Sequence, residues 1–249
     1  MPTPKVCAVD SIPIDISFPM HQGNSTSFIY LLIYRGGMGK KESESQGAYK
    51  DHVEQTIRSY DLNAEEYENR YRSVEEPFLD FLLKFARTAN KGRILDIGAG
   101  TGNDSKLLKS RGFDVTCLEL SEEMDKRCRA KGLKTINMDM REMHLPANSF
   151  DAVLAKESLL HLRKSEIPKV FEKIKMILKP GGHLGLIMRE GDADHILKED
   201  AYFPQRFYSR FRKHRLDRLL RQHFDVIYDR VFEHRNKFLF SYILKNKKF

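Results

Sequence analysis

From about Tyr49 to Arg72, apolar positions recur at three- and four-residue steps (Val53, Ile57, Tyr60, Ala64, Tyr67, Tyr71), a spacing that predicts an amphipathic helix. A second helical pattern runs from Phe78 to Ala86 and stops at Ala89, Asn90, Lys91 and Gly92. Beyond it the texture changes to short apolar runs alternating with helical stretches. Strands are expected at Arg93–Ile97, Asp114–Leu120, Lys134–Met138, Phe150–Ala155, His183–Met188, Phe224–Val231 and Phe238–Leu244. Between them, Asp104 to Arg111 predicts a helix stopped at Gly112, and Ser121 caps another, with Glu122 and Glu123 in its first turn, where acids suit the helix dipole. Ile167, Val170, Phe171, Ile174 and Ile177 form the stripe of a further helix, ended at Lys179, Pro180, Gly181 and Gly182, and Leu216, Leu219 and Leu220 mark the last. Strands alternating with helices imply a mainly parallel sheet with right-handed crossovers, whose ligand belongs at the carboxyl ends of the strands.

Residues 1–46 break this pattern. They hold Pro2, Pro4, Pro13 and Pro19, an apolar run from Phe28 to Tyr34 that ends at Arg35, Gly36 and Gly37, and a charged stretch, Lys40 to Ser45. We expect a poorly structured extension over 1–46, followed by one domain over 47–249 with a helical cap at 47–88. Translation starting at Met38 would remove most of the extension, and the mass of the native protein tests this. No apolar run approaches the roughly 18 residues of a membrane span, and the start lacks the pattern of a secretory signal. Cys7, Cys117 and Cys128 have neither disulfide-framework nor metal-knuckle spacing, so a reducing cytoplasm and no metal are expected. A monomer and a homodimer both fit.

The net charge of +8 is local: residues 201–249 hold thirteen Lys or Arg against four acids. From Arg206 to Arg221, Phe207, Tyr208 and Phe211 interleave with this charge, as on surfaces that combine phosphate contacts with base stacking. Leu216, Leu219 and Leu220 also fit the ordinary alternative, a helix with Arg215, Arg218 and Arg221 on its solvated face.

The chemistry concentrates in Ile94 to Asp104. Gly98, Gly100 and Gly102 follow a strand and open a helix, so the backbone can turn tightly and a ligand can approach closely. Asn103 stands where a dinucleotide fingerprint needs its third glycine, and no Gly-Lys-Ser or Gly-Lys-Thr follows, which excludes a P-loop. Asp96, at the strand end, can face a cationic group such as an ammonium. Glu119, nineteen residues after Gly100, can accept both hydroxyls of an unphosphorylated ribose.

Leu95-Asp96-Ile97-Gly98-Ala99-Gly100-Thr101-Gly102 resembles the signature of class I S-adenosylmethionine (SAM)-dependent methyltransferases. The resemblance continues through Val115–Ser121, Asn137–Met140, Asn148–Asp151 and Leu178–Gly182, in order and spacing, over roughly residues 56 to 245. Asp151 to Leu162, and Tyr60, Asp61, Ala64 and Tyr67, are similar to a bacterial subgroup acting on small molecules. The resemblance implies an α/β fold, a Rossmann-like doubly wound sheet of seven strands, mostly parallel with an antiparallel closing strand, under an amino-terminal helical lid. It implies SAM as cofactor, with S-adenosylhomocysteine as product. It assigns Asp96 to the methionine amino group, and Gly98, Ala99, Gly100 and Gly102 to the turn that makes room for the methionyl and ribose parts. Glu119 falls to the ribose hydroxyls, Leu120 to the adenine face, Asp139 to its exocyclic amine and Met140 to a ring nitrogen through its amide. Ala155 and Lys156 would line the sulfonium region, with the Lys156 amine turned away or paired with Glu157.

Tyr67 and His161 are the candidates for the acceptor wall, and His161 for a general base, since its ordinary pKa suits the role. His161 between Leu160 and Leu162 can equally be a packed ring with satisfied nitrogens. Arg189 and Glu190 follow the fifth strand, where the arginine could meet a substrate anion or stand as loop charge. The leading expectation is methylation of a small molecule. The competing ones are an RNA methyltransferase using the basic tail, a SAM-binding protein without transfer activity and, more distantly, a dehydrogenase.

Overall fold

The computed structural model describes residues 51–90 and 92–247. The expectations for residues 1–46, including the Met38 start and Cys7, lie outside the described residues.

The helical stretch expected from Tyr49 is two helices, α1 (His52–Leu62) and α2 (Ala64–Arg70). Asp51 caps α1 by accepting from the amides of Val53 and Glu54, both at 2.9 Å. Asn63 ends it by donating its side-chain amide to the Ser59 carbonyl at 2.7 Å, which turns the chain between the two helices. Helix α3 (Phe78–Thr88) follows, then strand β1 (Arg93–Ile97), α4 (Asn103–Ser110), β2 (Asp114–Glu119), α5 (Glu122–Ala130) and β3 (Lys134–Asn137). Ser121 caps α5 through the Met124 amide, as expected. Next come β4 (Phe150–Lys156), α6 (Ile167–Ile177), β5 (Leu178–Arg189), β6 (Ala193–Ile196), β7 (Phe207–Arg210), α7 (Lys213–His223), β8 (Phe224–His234) and β9 (Lys237–Asn246).

Seven strands form one sheet in the order β3-β2-β1-β4-β5-β9-β8. β1 to β5 pair in parallel, and β9 runs antiparallel between β5 and β8. The order reverses between β1 and β4, which opens a crevice beyond their carboxyl ends. The apolar residues of β1 serve both faces of the sheet: Ile94 faces one layer, while Leu95 and Ile97 face the other. α6 and α7 cover one face through Ile167, Val170, Phe171, Ile174, Leu216 and Leu220. α3 and α4 cover the other, where Phe85 packs so closely that a Cβ at Gly185 would stand 2.7 Å from its ring.

Two features depart from the sequence expectation. α3 packs in the sheet layer, so among the described residues it is α1 and α2 that form the lid over the crevice. β6 and β7 form an additional antiparallel pair, in which Ile196 faces Phe207 and Ala193 faces Arg210. Among the described residues no helix is long and apolar enough to cross a membrane, and no group of three or more His, Cys, Asp or Glu is placed to hold a metal ion.

Candidate active site

A cavity of about 270 Å³ lies at the switch point. Its floor is the glycine turn after β1, its near wall the end of β2, and its roof α1 and α2. Asp96, Gly98, Ala99, Gly100, Glu119, Leu120, Asp139, Met140, Lys156, Tyr67 and His161 all line it. Two residues expected there do not.

Gly98, Gly100 and Gly102 all have positive φ (68°, 57° and 79°), which L side chains adopt only with strain. At Gly100 a Cβ would meet only a Tyr67 ring atom at 3.9 Å, so this glycine borders open cavity. At Gly102 the same atom would strike Leu133 at 2.6 Å and the Cys128 sulfur at 2.9 Å. Gly102 therefore serves the packing of α4 against α5, a correction to its expected place in the cofactor turn. Ala155 is the second correction: it is fully buried in the core beneath the sheet edge and reaches no cavity surface. The Cys128 thiol donates to the Gly100 carbonyl at 3.2 Å, which ties the turn to α5.

Glu119 is buried, yet its carboxylate accepts from the amides of Gly100 (2.7 Å), Leu120 (2.9 Å) and Ser121 (3.0 Å). Two oxygens offer about four lone-pair sites, so acceptor capacity remains on the cavity side. Burial pushes its pKa to about 7, the three amides opposing the rise. Asp96 accepts from the Ser105 hydroxyl at 2.7 Å and is also raised to about 7, first by burial and then by neighbouring Asp104. Both values exceed the ordinary 3.8 and 4.5, so the folded state holds protons that the unfolded chain releases. Their contribution to stability is complete below the ordinary carboxylate range and is lost as pH rises through about 7.

Of the two placements expected for the Lys156 amine, turned away or paired with Glu157, the pairing is not found: Lys156 pairs with Asp104 at 2.5 Å, and Glu157 binds Arg189. The reason lies in the sheet: the end of β4 projects toward the first turn of α4, which carries Asp104. The second Asp104 oxygen and the Ser158 hydroxyl are buried beside the cavity without a hydrogen-bond partner. Buried polar atoms left in this state call for a partner, which a ligand, an ion or water can supply.

At the far end, Asp139 holds Arg141 through its amide (2.8 Å) and guanidinium (2.9 and 2.7 Å), and Arg141 reaches on to Asp51 at 2.7 Å. The Asp139 carboxylate therefore stands fixed beside Leu120, Met138 and Met140 on an otherwise apolar wall.

The lid is stapled to the α4–α5 side of the cavity by polar contacts that sequence reading missed. Asp61 accepts from Ser121 at 2.6 Å, Glu68 binds Lys131 at 2.5 Å, and Asn103 donates to the Tyr71 carbonyl at 2.5 Å. Asn103 thus has a use where the dinucleotide pattern wants glycine. Tyr67 packs edge-on to Tyr60 and against Tyr71, and burial raises its phenol well above 10.

Both ring nitrogens of His161 are engaged, which disfavours a general base. Its Nδ1 lies 2.7 Å from the Phe207 carbonyl, an acceptor, so Nδ1 carries the hydrogen. Nε2 then accepts from the Tyr60 hydroxyl at 2.9 Å. Burial, followed by the charge of Arg206, depresses its pKa to about 3. A ring with both nitrogens engaged and so little basicity orients Tyr60 instead. The pH profile of activity at this site is accordingly expected to lack a histidine inflection near 6.5, the group's ordinary value, in the parent protein and in His161→Gln alike. An inflection there that His161→Gln abolishes would restore the base.

Arg206, Phe207, Tyr208 and Phe211 are all buried, which removes the stacking surface that the interleaved aromatics suggested. Arg206 pairs with Asp200 at 2.7 Å and lies over the rings of Tyr60, Tyr202 and Tyr208. On α7, Leu216 and Leu220 are buried while Arg215, Arg218 and Arg221 are exposed, the solvated face that the spacing allowed.

Residues 95–186 match the family model of a methyltransferase domain. The putative methyltransferase YqeM of Bacillus subtilis (strain 168) is 38% identical over 106 residues, 40% of this chain and 43% of that protein. An uncharacterized methyltransferase of Staphylococcus carnosus (strain TM300) is 30% identical over 157 residues, 60% of this chain and 73% of that protein. The chain belongs to the class I SAM-dependent methyltransferases. Its match spans 43% to 64% of the length of the first four curated relatives. The methyltransferase fold is shared with 1,6-didemethyltoxoflavin-N1-methyltransferase of Burkholderia thailandensis (TM-score 0.61, 19% identity, 82% of this chain and 93% of that one). It is shared also with the PH0226 protein of Pyrococcus horikoshii OT3 (TM-score 0.60, 19% identity, 80% and 100%). As a member of this family, the methyltransferase binds SAM.

Proposed function

We propose that the enzyme transfers the methyl group of SAM to a small molecule held under the lid. The observation that carries this reading is the character of the acceptor end. Tyr60, Tyr67, His161, Tyr208 and Arg206 converge there from α1, α2, the loop after β4 and β7, and close the cavity with aromatic surface. A cleft walled this way suits a ligand buried on most sides rather than a polymer running through it. The Burkholderia thailandensis neighbour, crystallised with 1,6-didemethyltoxoflavin and S-adenosylhomocysteine, supports a small-molecule acceptor by analogy of fold. The same proposal takes residues 47–249 as the enzyme domain.

In this reading Glu119 accepts from the ribose hydroxyls, and Gly98, Ala99 and Gly100 leave space for the sugar and the amino-acid chain. Leu120 and Met140 hold the adenine between apolar surfaces, with Asp139 at its polar edge. Asp96 faces the ammonium group, and Asp104, Lys156 and Ser158 complete the amino-acid end. SAM supplies a methyl group already activated on a sulfonium sulfur. The chain's own residues then have to align the acceptor and exclude water, and positioning of this kind is worth roughly 7–11 kcal/mol of barrier. The Tyr60 hydroxyl, its hydrogen committed to His161, lines the cavity with acceptor capacity left and can orient an acceptor N–H or O–H.

Incubating the enzyme with methyl-labelled SAM and a fractionated cell extract tests the proposal. Label is expected in material that passes a small-pore filter. Label confined to precipitable RNA or protein would defeat it.

A further inference from the structure

Beyond the acceptor wall lies a second cavity, and its lining is strongly basic. Arg189 ends β5, Arg210 ends β7, Lys237 opens β9, and Arg212 precedes α7; one acid, Glu190, stands among them. The backbone fixes this convergence. The Glu190 amide donates to the Phe238 carbonyl at 2.9 Å and the Gly191 amide to the Phe211 carbonyl at 3.1 Å, so the loop after β5 is tied to β9 on one side and to the end of β7 on the other. Arg235 and Asn236, both at positive φ, make the tight hairpin that delivers Lys237 to the same place. Gly191, at φ 147°, leaves the space that Arg210 fills: a Cβ there would stand 2.9 Å from the Arg210 Cδ.

The charges do not balance. Arg189 is matched by Glu157, but among the described residues no carboxylate lies within ion-pair distance of Arg210, Arg212 or Lys237. The Nε of Arg210 is buried without a hydrogen-bond partner. Burial and the nearby cations, Arg189 first among them, lower the pKa of both Arg210 and Lys237. Arg189 and Lys237 line the methyl-transfer cavity as well, so the two spaces share a wall.

We infer that this second cavity receives an oxyanion, a carboxylate or a phosphate, carried by the methyl acceptor, whose reactive end reaches past Arg189 and Lys237 toward the cofactor. Guanidinium groups bind such oxyanions with paired, charge-assisted hydrogen bonds, and an anion here would relieve the mutual repulsion of three cations. The inference rests on the methyltransferase reading and adds to it the class of acceptor.

The test titrates inorganic phosphate, and separately acetate, into the full chain saturated with S-adenosylhomocysteine, in chloride-free buffer near neutral pH. The parent protein, Arg210→Gln and Lys237→Gln are compared, with the S-adenosylhomocysteine titration run on each sample. One of the two anions is expected to saturate a single class of site, weakened about tenfold by either substitution through loss of a charge-assisted contact. Preference for phosphate points to a phosphorylated acceptor, and preference for acetate to a carboxylic acid. Should Arg210→Gln fail to fold, Lys237→Gln, at the first position of β9, carries the comparison. S-adenosylhomocysteine bound with neither anion saturating, or with affinity unchanged by the substitutions, overturns the inference alone. An anion bound by a protein without affinity for S-adenosylhomocysteine overturns the acceptor assignment together with the methyltransferase reading.

Discussion

Glu119→Ala is expected to weaken S-adenosylhomocysteine binding by about a hundredfold or more, since two hydrogen bonds to a charged group are each worth about 1.5–3 kcal/mol. The loss has a second source. The Glu119 carboxylate also accepts from the amides of Gly100, Leu120 and Ser121, so its removal leaves three donors at the glycine turn without their partner. Calorimetric titration measures the effect, with circular dichroism confirming that the variant is folded. Affinity within about twofold of the parent would separate Glu119 from the cofactor. In the parent, hydroxyl donors favour the charged carboxylate, so binding lowers a pKa that stands at about 7 in the free protein. Binding therefore releases protons, and affinity rises with pH up to about 7 and levels off above it.

Arg206→Ala is expected to destabilise the fold by about 3–5 kcal/mol, the usual consequence of stripping the partner from a buried charge. Asp200 is the charge left behind. Burial pushes its carboxyl upward, but Arg206 more than offsets this and holds it below 3.8 in the native protein. The guanidinium also lies against three tyrosines, and the segment around it is tied to α1 through Gln55 and Gln205, Asn63 and Phe203, and Thr56 and Phe207. Thermal unfolding is expected to show a fall in Tm of about 10 °C, given roughly 2–4 °C per kcal/mol for a domain of this size. Arg206→Met combined with Asp200→Leu should recover much of that loss, because apolar replacement of a whole buried pair is often neutral. A single variant as stable as the parent would show that Arg206 does not tie the lid to the core.

What the sequence disclosed and what it concealed divide along a physical line. Features carried by neighbours in the chain were legible. The glycine turn, Glu119 at the end of β2, the Ser121 cap and the apolar strands all follow from local spacing. Contacts closed by the fold were not. Lys156 and Asp104 are 52 residues apart and meet because β4 ends beside α4. β7 was hidden because its aromatics sit among arginines, a composition that reads as surface; Arg206 is buried through Asp200, six residues away across a turn. His161 was identified as a cavity residue, but its tautomer depends on a carbonyl 46 residues downstream, and its role changes with it. Gly102 looked like part of a cofactor turn because its spacing is right, whereas its neighbours are Leu133 and Cys128.

The central claim is that a nucleoside sits on the glycine turn with its sugar against Glu119. A crystal structure of the enzyme with S-adenosylhomocysteine tests it most directly. The account predicts both ribose hydroxyls within hydrogen-bond distance of the Glu119 carboxylate, and the sulfur facing Tyr60 and Tyr67. Ligand bound elsewhere, or a ribose held by another residue with Glu119 still engaged only by backbone amides, would contradict it.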